Sequence, residues 1–178
     1  FNDNSLAAQW EVSYGTVTGT AWAETGSEIK YSGTPTTTEP VNNYALIRTG
    51  VTSKRYGGIE QIKFKTPTAA IGLGTEILFR MEVTSTNFVE ISCQADGYRL
   101  EKVEDNLQPP GSTVGPIALF GNEASTFHTL KILWDEFTNT AYAWVDNKYI
   151  GRLVVTGTTF LATDQQKFVI HVNSKNGV

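Results

Sequence analysis

Two glutamates, Glu82 and Glu90, lie either side of a short polar segment, with Arg80 two residues before the first. Hydrolysis of a glycosidic bond uses two carboxyl groups roughly 5–9 Å apart, one to give a proton and one to attack or to activate water. A hairpin turn centred on Thr86 would set Glu82 across from Glu90 with Arg80 close by, which meets that spacing. The same three residues also read as a solvated cross-strand network, in which Arg80 neutralises two carboxylates that otherwise repel. A second group is aromatic. Tyr142 and Trp144 alternate with Ala141, Ala143 and Val145, so both rings share one face, together with Lys131 and Leu133 of the preceding segment. Such rings can stack on the apolar face of a pyranose while charged neighbours bond its hydroxyls. The competing reading buries both rings under a second layer or a long loop.

Other chemistry is weaker. Asn2, Asp3 and Asn4, and Asp146 with Asn147, offer the oxygen ligands calcium prefers, without the spacing of an EF-hand. Asx residues at turns more commonly cap backbone groups. His128 and His171 read as strand-face histidines, because no Gly-x-Ser-x-Gly elbow accompanies them. Cys93 alternates inward with Ile91 and reads as a small core residue. Gly57-Gly58 and Gly72-Leu-Gly74 lack the phosphate-loop pattern.

The elements that must position these groups are strands. The chain contains 24 Thr and 16 Gly against a single Met, and no window of helical length has a 3.6-residue apolar stripe. Glu76–Thr84 places Ile77, Phe79, Met81 and Val83 on one face. Asn87–Ala95 repeats the pattern with Val89, Ile91, Cys93 and Ala95 inward. Asp96-Gly97 predicts a two-residue hairpin that sets Ala95 opposite Tyr98, Cys93 opposite Leu100 and Gln94 beside Arg99. Further strands are expected at Trp10–Tyr14, Val17–Trp22, Glu28–Tyr31, Tyr44–Arg48, Gly58–Thr66, Phe127–Trp134, Thr140–Val145, Tyr149–Val155 and Phe168–Val172. Gln108–Pro116 reads as a loop rich in Pro and Gly. Turns fall at Thr138-Asn139 and Asp146-Asn147. Many short strands without helices predict one all-β domain over residues 1–178, a two-sheet antiparallel β-sandwich with jelly-roll topology.

Composition also excludes. The net charge of −4, with no basic block, argues against electrostatic binding to nucleic acid or anionic lipid. No apolar run approaches the roughly 20 residues of a membrane helix. A single cysteine excludes an internal disulfide framework and a thiolate zinc cluster. The start at Phe1, without a methionine or leader, reads as a processed or excised form.

The stretch Phe127–Gly151, FHTLKILWDEFTNTAYAWVDNKYIG, resembles the late hairpins of concanavalin A-like (laminin-G-like) jelly rolls. Those have a His or Trp near the start of a strand, a turn after Trp-Asp, a strand ending Val-Asp-Asn or Val-Asp-Gly, and an Ile-Gly. The opening Phe1-Asn-Asp with Trp10 is similar to their entry strand. About 25 residues bear the likeness well, and turn chemistry with core alternation makes up most of it. It implies two curved sheets, the concave one often presenting a glycan or protein site, with calcium near the chain ends in some members. The Glu-x-Asp-x-x-Glu strand of the superfamily's glucanases is missing, as are the Arg-Thr-Glu-Leu-Arg and Gln-Ile-His strands of its alginate lyases.

The sequence therefore predicts a non-catalytic carbohydrate-recognition or adhesion domain of a secreted, cell-surface or virion protein. Its expected ligand set is Tyr142, Trp144, Arg80, Glu82, Glu90 and Arg99, with Asp3 and Asp146 as optional calcium ligands and no other cofactor. The expected partner is a glycan or polysaccharide. One alternative is a decoration, fibre or filament subunit assembling with copies of itself or other surface proteins. Another is a polysaccharide-active enzyme using Glu82 and Glu90.

Overall fold

The computed structural model describes residues 10–13, 21–25, 28–32, 42–53, 58–64, 75–84, 86–94, 96–118, 126–135, 137–155 and 166–174. Alternating sequences with β-branched and aromatic residues form strands throughout these segments. In chain order they are β1 (Trp10–Ser13), β2 (Ala21–Thr25), β3 (Glu28–Ser32), β4 (Asn42–Ser53), β5 (Gly58–Phe64), β6 (Thr75–Thr84) and β7 (Asn87–Gln94). There follow β8 (Gly97–Val103), β9 (Thr113–Ile117), β10 (His128–Asp135), β11 (Thr140–Val145), β12 (Lys148–Val154) and β13 (Gln166–Ser174). A large sheet runs β1-β4-β13-β6-β7-β8-β9 and a small one β12-β11-β10-β5, while β2 and β3 form a separate hairpin. Every pairing is antiparallel. No described helix is long and apolar enough to cross a membrane.

The two principal sheets meet through the faces that period-two alternation predicts. Phe79, Met81, Val89, Ile91, Cys93 and Leu100 of the large sheet pack with Leu130, Ile132, Trp134, Ala141, Ala143 and Val145 of the small one. Trp134 is 1% exposed and Ile132 fully enclosed, so this cluster is the dry centre of the sandwich. Lys102 closes one end, where its buried ammonium donates to the Val154 carbonyl at 2.8 Å and pairs with Glu104 at 3.2 Å. Gly151 lets β12 approach β9, since a Cβ there would lie 2.6 Å from a Val114 methyl.

Three expectations are corrected. The hairpin between β7 and β8 pairs Gln94 with Gly97, so Cys93 faces Tyr98 and Ile91 faces Leu100. Gly97 (φ +134°) is needed because a Cβ there would sit 2.5 Å from the Ile117 carbonyl oxygen of β9. The slip moves each partner by two residues, which preserves parity and keeps every side chain on its expected face. Secondly, the turn pairs Thr84 with Asn87 and a bulge at Val83 shifts the β6–β7 ladder by one residue more, so Arg80 rather than Glu82 opposes Glu90, and Glu82 opposes Phe88. Thirdly, the Pro- and Gly-rich stretch contains β9, an edge strand in which Pro116 sacrifices no central ladder bond.

Candidate functional site

The outer face of the small sheet is built by β10, β11 and β12. Lys131 of β10 lies opposite Trp144 of β11, and Leu133 opposite Tyr142. On the other side of β11, Tyr149 faces Trp144 and Arg152 faces Tyr142, with a bulge between these pairs that accommodates Ile150. Asp146 and Asn147 (φ +48° and +64°) make the tight turn that starts this register. The rings form one contiguous group. Tyr142 and Trp144 have centroids 6.2 Å apart at 25°, and Trp144 and Tyr149 lie 5.8 Å apart at 57°. The Lys131 ammonium sits 4.5 Å from the Trp144 centroid, within cation–π range. Tyr149 is 50% exposed, so the group is open to solvent on at least one side.

The outer face of the large sheet is built differently. Arg80 donates from Nε and Nη2 to Oε2 of Glu90, each at 2.8 Å, and its Nη1 lies 3.7 Å from Glu82. The guanidinium carbon also lies 3.3 Å from the Phe88 ring centroid. Gln94 donates to Glu76 at 3.2 Å, and Arg99 is held by Asp96 at the hairpin tip. These groups are largely shielded from water: Glu76 is 6% exposed, Glu90 5% and Ser92 0%. Desolvation dominates the titration of Glu90 and pushes its carboxyl up to about 7, against the opposing pull of Arg80. Glu101, directly across from Glu90, adds repulsion in the same upward direction. Such a carboxyl can hold a proton near neutrality, but its oxygen is turned to Arg80.

At the end of the small sheet, Asp146 accepts from the Thr129 N–H at 2.7 Å and sits 2.7 Å from Nδ1 of buried His128. The pair pins the β11–β12 turn to the first residues of β10. Each Asp146 oxygen thus already meets a protein group. Among the described residues no three His, Cys, Asp or Glu side chains converge as a metal cluster, and Asp3 lies outside them.

No protein-family model matches the sequence, and comparison with curated proteins gives no match. Solved structures do match in shape. An endo-1,3-β-glucanase from Streptomyces sioyaensis superposes with a TM-score of 0.61 at 13% identity, over 98% of this chain and 81% of that one. The Emp46p carbohydrate recognition domain gives 0.62 at 10% identity, over 94% and 82%. The Crh5 transglycosylase gives 0.59 at 16% identity, over 96% of this chain and 65% of its own length. The chain has the concanavalin A-like jelly-roll fold.

Within this jelly roll the six expected ligand residues do not form one surface. Tyr142 and Trp144 project from the small sheet, whereas Arg80, Glu82, Glu90 and Arg99 project from the far side of the large one, with the shared core between them. Arg80, Glu82 and Glu90 do converge, as an ion-paired network. Arg99 stands apart from them, tied to Asp96. Sequence reasoning missed Tyr149 and Arg152. The signal was present, since a two-residue turn at Asp146-Asn147 sets Lys148 opposite Val145 and hence Tyr149 opposite Trp144. His171 lies at a described strand position, paired with Leu78 and Ala45.

Proposed function

We propose that this domain recognises carbohydrate without transforming it, and that the ligand lies on the outer face of the small sheet of a protein working outside the cell. The observation that carries this reading is the contiguous group of Tyr142, Trp144 and Tyr149 on an open sheet face. Aromatic rings with a polar rim match a sugar, which has an apolar ring face and a belt of hydroxyls. The resemblance in fold to a carbohydrate recognition domain and to glucanases supports the same ligand class. Against turnover stand the missing Glu-x-Asp-x-x-Glu strand and the burial of Glu90 against Arg80.

The test is a glycan array on the purified domain, run with calcium and again with chelator, followed by calorimetry on the best ligand. Binding to one glycan class that Trp144→Ala weakens at least about tenfold supports the reading. Unchanged affinity in Trp144→Ala removes the platform. Loss of binding with chelator would bring calcium into the site.

A further inference from the structure

The charges around the aromatic group are not those of the chain as a whole. The protein has 14 Lys and Arg against 18 Asp and Glu. Among the described residues on the outer face of the small sheet the balance reverses. Lys63 of β5 opposes Thr129, Lys131 opposes Trp144, and Arg152 opposes Tyr142, so the three cations cross all four strands obliquely past the rings. With strands about 4.8 Å apart and a rise of about 3.3 Å per residue, the row spans on the order of 20 Å, long enough for an oligosaccharide. Lys63 and Arg152 are exposed. None of the three makes an ion pair among the described residues. The outward carboxylate of β10, Asp135, stands at its far end and accepts from the Thr138 hydroxyl and the Phe137 N–H.

Resting on the carbohydrate reading above, we infer that the preferred ligand is an anionic polysaccharide, its charge supplied by uronate carboxylates or sulfate esters. A sugar stacked at Trp144 brings an acidic substituent within reach of the Lys131 ammonium, which now rests over the ring. Arg152 offers a planar fork that fits carboxylate or sulfate with two parallel hydrogen bonds. A neutral glucan would use the rings and bring no counter-charge to the three cations.

Affinity electrophoresis and calorimetry with three probes test this: polygalacturonate, dextran sulfate and a neutral β-glucan. At low salt, at least one acidic polymer is expected to bind about tenfold more tightly than the neutral one, an advantage lost in 0.5 M salt. Which acidic arm binds separates carboxylate from sulfate. The Lys131→Gln/Arg152→Gln double variant, with its thermal midpoint checked, should lose roughly fivefold or more for the acidic polymer and a clearly smaller factor for the neutral one. Neutral glucan bound as tightly as the acidic polymers, without salt dependence, overturns this inference and leaves carbohydrate recognition standing. Acidic binding that survives both the double variant and Trp144→Ala places the contact elsewhere and also overturns it. Silence with all three probes, when the array has found a different neutral ligand, overturns the anionic preference alone. Silence on both overturns the two readings together.

Discussion

On the large sheet, Arg80, Glu82 and Glu90 turn their charges toward one another and away from water, whereas on the small sheet Lys131 and Arg152 stand beside solvent-facing rings. Both faces arise from the same alternation of apolar and polar residues. The difference lies in what each charge already meets. A buried pair must recover its desolvation from its partner, and Glu90 does so incompletely, which is why its carboxyl rises to about 7. Lys131 and Arg152 have no ion-pair partner among the described residues, so a ligand can supply one. Charge on a sheet face therefore signals a site only when the fold leaves it uncommitted.

The largest break in this contrast is expected from Arg80→Met. It leaves Glu90 buried without its partner, and losing one member of a buried pair costs about 3–5 kcal/mol. Urea unfolding at pH 8 should show a loss of that size, shrinking at pH 5 as Glu90 takes up its proton. Equal losses at both pH values would mean that the charge of Glu90 is not responsible.

Next in size is the pH response of Glu90 itself. Its folded value lies above the ordinary 4.5, so between pH 4.5 and 7 the folded protein holds a proton that the unfolded chain has released. This contribution to stability is complete below pH 4.5 and is lost as pH rises through about 7, amounting to about 3 kcal/mol by pH 8. Glu90→Gln cannot ionise and should be flatter across that window by the same amount. Parallel pH profiles for the two proteins would refute the assignment.

Trp144→Ala should behave oppositely, costing about 1 kcal/mol in stability through its ring contacts while removing glycan binding. A large loss of folding stability with affinity intact would recast the small-sheet face as structural. Ser92, whose hydroxyl is buried with no hydrogen-bond partner among the described residues, supplies a gentler probe. Ser92→Ala should raise stability by up to about 1 kcal/mol, because an unsatisfied hydroxyl is removed from a dry face. A lower thermal midpoint would show that the oxygen is bonded after all. Smallest of all, Lys131→Gln should alter unfolding by less than about 0.5 kcal/mol, and a larger drop would mark Lys131 as part of the structure.

The layer structure was readable in the sequence because alternation has direct physical meaning: Phe79 with Met81, and Ala141 with Ala143, must face the same side of their strands. The separation of Tyr142 and Trp144 from the core followed from the same rule. Register was less readable. The bulge at Val83 interrupts a pairing between strands, and Ile117 approaches Gly97 from a neighbouring strand, neither of which local turn chemistry encodes. The shielding of Glu90 was not readable at all, since a period of two says which side a residue faces and nothing about what lies over that side. The edge strand β9 was hidden for a related reason, because Pro116 and Gly115 suggest a loop unless the strand is known to stand at a border.

The position of β13 has a further consequence, for the order in which the molecule can be assembled. This strand lies between β4 and β6, pairing Val169 with both Ile47 and Arg80. Until it arrives, the large sheet exists as two fragments, each with a raw hydrogen-bonding border. A chain in which it is not yet paired would therefore expose two sticky margins. Closure by so distant a segment also makes folding slow for the protein's size. This strand is thus the keystone of the large sheet, and any peptide able to mimic its backbone would compete with it before the sheet is sealed.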